Sequence, residues 1–378
     1  HLAPSTQHLA PSTQHPAPST QHRDLGDVVL LPGLINAHIH LELSWLRGRV
    51  PPANKFTDWV KQLIPTRRGV ERAGDPSVMA PLELAIAELR ASGTVAVGDI
   101  SNSLASAAPM AAAGLRGVIF HELLGFQERD GKLVDASREA RAAAASHGVP
   151  VSMAPHAPYS TSPELFRAIR DEVDRSACAI SSVHLGESEE EVELLTTGTG
   201  PWRGMLEFIG AWRDDWPIPN RGPVEYLEGL GVLDGRTLVV HGVQLTAASL
   251  ARVAAIGATL VTCPRSNYWV GVGYPPIERF YQSGVAVAVG TDSLASVEDL
   301  NLFSELKTMR DLAPSVPPRR FLESATLVGA RALGLEAELG SLTPGKRAAM
   351  ISVDLRGHDG DVEEYLVSGI TPEQVQVL

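Results

Sequence analysis

Residues 31–43 read LPGLINAHIHLEL, an apolar run that ends in two histidines one residue apart. Side chains at i and i+2 of a strand share a face. His38 and His40 therefore point the same way, and Ile39 points to the other side. Such a pair can hold a metal ion or can arise by chance, and the rest of the chain has to decide.

Working outward from it, runs rich in Val, Ile and Ala recur along the chain. They are DVVLLPGLINAHIH (27–40), TVAVGDI (94–100), LRGVIFHE (115–122), VPVSMAPHA (149–157), AISSVHL (179–185), TLVVHG (237–242), ATLVTCP (258–264) and VAVAVGTD (285–292). Between them lie helical stretches such as APLELAIAELRASG, SPELFRAIRDEV and TAASLARVAAIG. Gly closes two of these three, as helix C-termini prefer. Strands alternating with helices predict an α/β protein with a (β/α)8 TIM barrel, which needs about 250 residues. The predicted barrel spans 30–320. After it, a helix and short β-like runs with turn signals over 321–378 predict a small accessory β module. Residues 1–22 repeat HLAPSTQ with Pro in every unit. They read as a low-complexity, disordered or polyproline-like tail. Residues 23–29 are left as a remnant of the small β domain.

Formal net charge is −12, which argues against a nucleic-acid or anionic-membrane binder. No run of about eighteen apolar residues suggests a membrane span. The two cysteines, Cys178 and Cys263, exclude a disulfide framework and fit a reducing cytoplasm; both read as small buried hydrophobes. The expected partner is a small-molecule substrate, and the sequence leaves the oligomeric state open, with a homodimer as the assembly considered.

Polar residues close nearly every strand: His38 and His40, Asp99, His121 and Glu122, His156, His184, His241, Asp292. In a barrel the C-terminal strand ends open onto one face, where active sites are built. Six His and two Asp at matching ends point to a metal centre more strongly than one buried His would. His147 and His358 do not join the pattern and read as surface residues. Neutral imidazole with carboxylate suits Zn²⁺, with Fe²⁺ the alternative. A catalytic cation leaves one position to water and lowers its pKa from ~15.7 toward about 7.

The segments PGLINAHIH, HLGE (184–187), VHG (240–242), CPRSN (263–267) and GTDS (290–293) resemble, in order, the metal-dependent amidohydrolase superfamily. The nearest branch is that of nucleoside and purine aminohydrolases and chlorohydrolase-like enzymes. GSLTPGKRAAMISVD resembles that family's return to its β-sandwich, with Met350 in place of the usual Asp. The family opens with strands that complete the sandwich, so the accessory domain is expected to be incomplete on its N-terminal side.

The resemblance implies one divalent ion held by His38, His40, His184 and Asp292. It makes Glu187, His241 and Asp292 catalytic. Glu187 would protonate a ring nitrogen, while His241 and Asp292 manage the protons of the attacking water. Glu189, Glu190 and Glu191 read as the exposed first turn of a helix. VPVSMAPHAPYS has no Lys to bridge two metals, which fits a mononuclear site with His156 facing the substrate.

The implied reaction is hydrolytic deamination of an aminopurine nucleoside. A chlorohydrolase or cyclic-amide hydrolase is the alternative, and substrate profiling separates them. An inactive scaffold of this fold is the alternative from another class, but it should have lost ligand residues. A serine or cysteine hydrolase lacks an evident nucleophile–base pair. HIHLELSWLRG resembles the deaminases that act on aminodeoxyfutalosine, which implies a substrate with an adenine at one end and a benzoate at the other. Its carboxylate needs a cation, for which Arg265 and then Arg47 are the candidates. Trp45 and Ser293 complete the expected substrate-binding set with His156.

Overall fold

The computed structural model describes residues 24–67 and 74–378; the tail read over 1–22 lies outside the described residues. Eight strands carry the barrel. β2 (Leu34–Ile39), β3 (Thr94–Ser101), β4 (Arg116–Leu123) and β5 (Val151–Pro155) pair in parallel, in that order. β6 (Ser181–Leu185), β7 (Thr237–His241), β8 (Thr259–Thr262) and β9 (Ala286–Val289) do the same. Two backbone hydrogen bonds join the halves. His184 N donates to His156 O at 2.9 Å, and Asp292 N donates to His38 O at 3.1 Å. The second seam is reinforced by the Asn36 amide donating to Thr291 Oγ1 at 2.8 Å. The predicted (β/α)8 barrel is therefore present, and its two seams fall at metal-ligand candidates.

The helices begin where the local chemistry tells them to. Ser162 caps Pro163–Arg175 by accepting from Leu165 N, with Pro163 in the first turn. Thr246 caps Ala247–Ile256 by accepting from Ser249 N, and Gly257 ends that helix at φ 80°. A side-chain acceptor satisfies an otherwise orphan N–H, and Pro has no N–H to lose there.

The run DVVLLPGLINAHIH is not one strand. β1 (Val28–Pro32) pairs antiparallel with β10 (Met350–Asp354), and β10 pairs with β11 (Val375–Val377), forming a three-stranded accessory sheet. Proline is tolerated at the end of this edge strand because no ladder donor is needed there. The chain passes into the barrel at Gly33, where a Cβ would lie 2.3 Å from Val95 Cγ1.

Two helices over the barrel mouth were not anticipated. A 3₁₀ helix covers Leu41–Leu46, and an α-helix covers Phe56–Arg67. The second carries Phe56, Trp59 and Leu63 at helical spacing and lays them over the site. Among the described residues no helix is long and apolar enough to cross a membrane.

Candidate active site

The strand ends converge as the sequence requires. His38 and His40, on alternate residues, bring their rings within 5.0 Å of each other. His184, from β6, lies 5.0 Å from the His38 ring, and His241, from β7, 5.7 Å from it. Asp292, just past β9, puts Oδ1 3.5 Å from His40 Nε2 and 3.9 Å from His38 Nε2. Ligand atoms of His38, His40 and His184 all fall within 4.8 Å of one another, as do those of His38, His241 and Asp292.

The donor chemistry fits a divalent cation. Both ring nitrogens of His38 are buried without a hydrogen-bond partner. An unsatisfied buried polar group costs about 1–3 kcal/mol, so a lone pair aimed at this point is explained by a ligand for it. His184 places Nδ1 3.0 Å from His156 O. A proton on Nδ1 leaves Nε2 as the lone-pair nitrogen. Burial lowers the pKa of His38, His40 and His241 well below the usual range. It brings His184 down to about 4. All four rings are thus neutral near pH 7, the form a metal ligand needs.

Two residues at these ends have left-handed backbones, His241 at φ 75° and Asp292 at φ 61°. Asp292 is held by Ser266 Oγ, which donates to Oδ2 at 2.6 Å, and by Ser293 N, which donates to Oδ1 at 2.8 Å. Burial nevertheless pushes its pKa up to about 6. Asn267 places Nδ2 3.0 Å from His241 Nδ1. Its Oδ1 is buried without a partner. Rotating that amide by half a turn would satisfy Oδ1 with an Nδ1–H and give His241 a free Nε2.

Glu187 is buried and its Oε1 lies 3.5 Å from His241 Nε2. Burial pushes its pKa well above the carboxylate range, and the negative charges of Asp292 and Glu191 push it further. Both causes favour its protonated form over the charged one. The turn that delivers it rests on Gly186, at φ 64°, where a Cβ would sit 2.5 Å from Leu245 Cδ2. It also rests on Glu191, which corrects the expectation that Glu189–Glu191 are all exposed. Glu191 is fully buried, and its carboxylate accepts from Gly186 N at 2.9 Å and from Glu187 N at 3.1 Å. Ser188 is the N-cap, so Glu191 stands where a capping-box glutamate turns back toward the preceding backbone. That S-x-x-E spacing was visible in the sequence.

His156 faces the same pocket, with Nδ1 2.6 Å from Ser160 Oγ, and burial lowers its pKa to about 3. Ser293 also lines it. The other substrate candidates are placed elsewhere. Arg265 does not reach the pocket. Nε donates to Glu305 Oε1 at 2.7 Å, Nη1 to Asp299 Oδ2 at 3.0 Å and Nη2 to Asp299 O at 2.8 Å. Arg47 is turned to Glu88, to which its Nη2 donates. Trp45 is buried but lines a neighbouring cavity rather than the metal pocket. His121, though at a strand end, has its ring on Asn102 O at 3.2 Å, and it is Glu122 that enters the site. His147 and His358 are exposed, as expected.

Phe56, Trp59, Tyr159 and Arg67 also line the pocket. Tyr159 stacks on Trp202 at 3.9 Å between ring centres, and Phe56 stacks on Trp59 at 6.3 Å. This makes an aromatic wall suited to a flat heterocycle.

The sequence profile of the amidohydrolase family matches residues 29–375. The chain belongs to the amidohydrolase family. It is an enzyme, a hydrolase of carbon–nitrogen bonds. It is 31% identical over 360 residues to the 5-methylthioadenosine/S-adenosylhomocysteine deaminase of Moorella thermoacetica, covering 91% of this chain and 78% of that protein. It is 32% identical over 327 residues to the aminodeoxyfutalosine deaminase of Deinococcus radiodurans, covering 81% and 73%. Among solved structures, the aminofutalosine deaminase of Helicobacter pylori in complex with methylthio-coformycin superposes with a TM-score of 0.80 at 25% identity, covering 93% of this chain and 84% of that one. A zinc-bound adenosine deaminase from Xanthomonas campestris gives 0.75 at 28% identity, covering 93% and 79%. The zinc-bound atrazine chlorohydrolase of Arthrobacter aurescens, at 20% identity and 0.76, shares the fold.

Proposed function

We propose that this amidohydrolase is a hydrolytic deaminase of adenine-bearing nucleosides, with zinc as its metal and aminodeoxyfutalosine as its substrate. The carrying observation is that His38, His40, His184, Asp292 and Glu187, from three different strand ends, converge at one mouth of the barrel. His38, His40, His184 and Asp292 would hold the cation. When bound, it supplies the Lewis acidity that makes water nucleophilic near neutral pH. The net reaction adds one water across the amidine carbon and releases one ammonia.

The chain's own groups supply the rest. Glu187 enters in its acid form and donates its proton to the ring nitrogen beside the reacting carbon. Asp292 accepts one proton of the attacking water and passes it to the departing amino group, and the water's second proton returns Glu187 to its acid form as the carbonyl forms. His241 Nε2, 3.5 Å from Glu187 Oε1, orients the water between them. The aromatic wall of Tyr159, Phe56 and Trp59 holds the purine and keeps out bulk water, which strengthens each charge interaction inside. The resemblance of HIHLELSWLRG supports aminodeoxyfutalosine among the adenine nucleosides.

The test is a release assay with the zinc-loaded protein. Adenosine, 5′-methylthioadenosine, S-adenosylhomocysteine and aminodeoxyfutalosine are each followed for ammonia, and a chlorinated triazine for chloride. Ammonia is expected, most rapidly from aminodeoxyfutalosine. Chloride release with no ammonia from any nucleoside would overturn the deaminase reading in favour of a chlorohydrolase.

A further inference from the structure

The floor of the barrel, at the strand ends opposite the metal site, carries a cavity of another character. It measures about 390 Å³, within the range of about 300–1,000 Å³ for small-molecule sites. Thr94 and Arg116 enter it from the first residues of β3 and β4, and Arg90 from the last turn of the helix Pro76–Ala91. Arg347 comes from the segment that leads into β10. Leu115, Leu339 and Val377 give it an apolar side. The cavity thus lies between the barrel and the accessory sheet.

Its charges are not balanced. Arg116 Nη2 donates to Glu338 Oε2 at 3.2 Å, and Arg347 Nε donates to the same oxygen at 2.6 Å. Arg347, and then Arg116, hold that carboxyl below its usual range, so it carries a full negative charge. The Arg90 side chain has no ion pair among the described residues. Three cations therefore meet one anion, in a chain whose net charge is −12. Arginines elsewhere are treated differently. Arg213 has both Glu164 and Asp215, and Arg265 has both Glu305 and Asp299. Two polar atoms of the lining residues, Thr94 Oγ1 and Arg116 Nε, are also buried without a hydrogen-bond partner.

An excess of two positive charges matches a phosphoryl group, which carries about −1.5 to −2 at pH 7, better than it matches a carboxylate. Guanidinium groups bind phosphate oxygens through paired hydrogen bonds. The apolar side suits an organic body attached to that group. A benzene ring needs about 150 Å³, so a ring and a phosphoryl group fit together.

We propose that this cavity binds a small organic phosphate monoester, whose phosphoryl group lies among Arg90, Arg116 and Arg347 and ties the accessory sheet to the barrel. The site is at the opposite end of the strands from His38 and Asp292, and its occupancy does not depend on the deaminase reading.

Phenyl phosphate, inorganic phosphate and benzoate are the probes, each titrated by calorimetry into the zinc-loaded protein at constant ionic strength. Phenyl phosphate should bind most tightly, inorganic phosphate less for want of apolar contact, and benzoate least. R347Q changes an exposed side chain and should weaken phenyl phosphate by about 10- to 150-fold, the range for a hydrogen bond to a charged group. E338Q removes the competing negative charge and should tighten it, a gain that a damaged fold would not give. Ammonia release without added phosphate should be the same in the parent and both variants. Equal affinity for phenyl phosphate in the parent, R347Q and E338Q would place the anion elsewhere, at the metal for example, and overturn the site. So would the absence of binding in the parent. Benzoate bound as tightly as phenyl phosphate would overturn the dianion, and inorganic phosphate bound as tightly would overturn the monoester.

Discussion

Glu305 and Glu187 are both buried carboxyls, 0% and 3% exposed, but their surroundings differ. Glu305 receives the Arg265 Nε at 2.7 Å and the Arg265 backbone N at 3.2 Å, and Asp299 takes the remaining guanidinium edge. Every charge in that cluster has an opposite within hydrogen-bonding distance. Glu187 instead faces Asp292, of like sign, and a His241 that burial keeps neutral. One cluster is closed and holds the segment after β8 to the helix Leu302–Leu312. The other is open, and only a further charge from outside would balance it. A buried charge with its partner is scaffolding; one left without it is available for chemistry.

The sharpest way to test the contrast is to empty the open cluster. Asp292→Ala removes a ligand and a proton acceptor together, and should lose both the bound metal and measurable turnover. Metal analysis beside an ammonia assay checks this, and an unchanged metal content with unchanged turnover would refute the assignment. Glu187→Gln keeps size and shape, so the metal should stay while turnover falls by about 10²–10⁴-fold, the usual worth of a general acid. A loss under about tenfold would mean that Glu187 is not the acid of the reaction. Glu191→Gln leaves one acceptor where two backbone N–H groups need one each. It should tilt the turn that carries Glu187 and lower turnover by up to about 10²-fold, with metal content unaltered. Arg265→Met breaks the closed cluster and should have the least effect on turnover per folded molecule. It leaves Glu305 buried and unpaired, so stability should fall by about 3–5 kcal/mol, read by denaturant unfolding. A large change in substrate preference in that variant would mean that the closed cluster takes part in binding after all.

The barrel and most of the open cluster could be read from the sequence because both obey short-range rules. Val- and Ile-rich runs become strands, and the polar residues at most of their ends are delivered to the same mouth, while Asp99 and His121 are bonded beside it. Arg265 was misread because its partners lie 34 and 40 residues further on, and local pattern does not report a pairing at that distance. Arg67 was overlooked for the converse reason. Pro65, a residue that usually ends a helix, lies just before it, and a cation at a helix end usually complements the dipole at the surface. Phe56, Trp59 and Leu63 did announce an amphipathic helix there. Glu191 sat in a row of acids whose composition suggested solvent, yet its S-x-x-E spacing from Ser188 carried the information.

The left-handed backbones of His241 and Asp292 have a consequence for how such an enzyme could decay. Non-glycine residues avoid this region, and holding one there costs of order 1–3 kcal/mol. Each position is thus constrained twice, by the chemistry of its side chain and by the turn of its main chain. Valine or isoleucine would fail on the second count even where the first no longer mattered. A lineage released from catalysis should therefore drift first to Gly or Asn at 241 and 292, trading activity for a more relaxed fold.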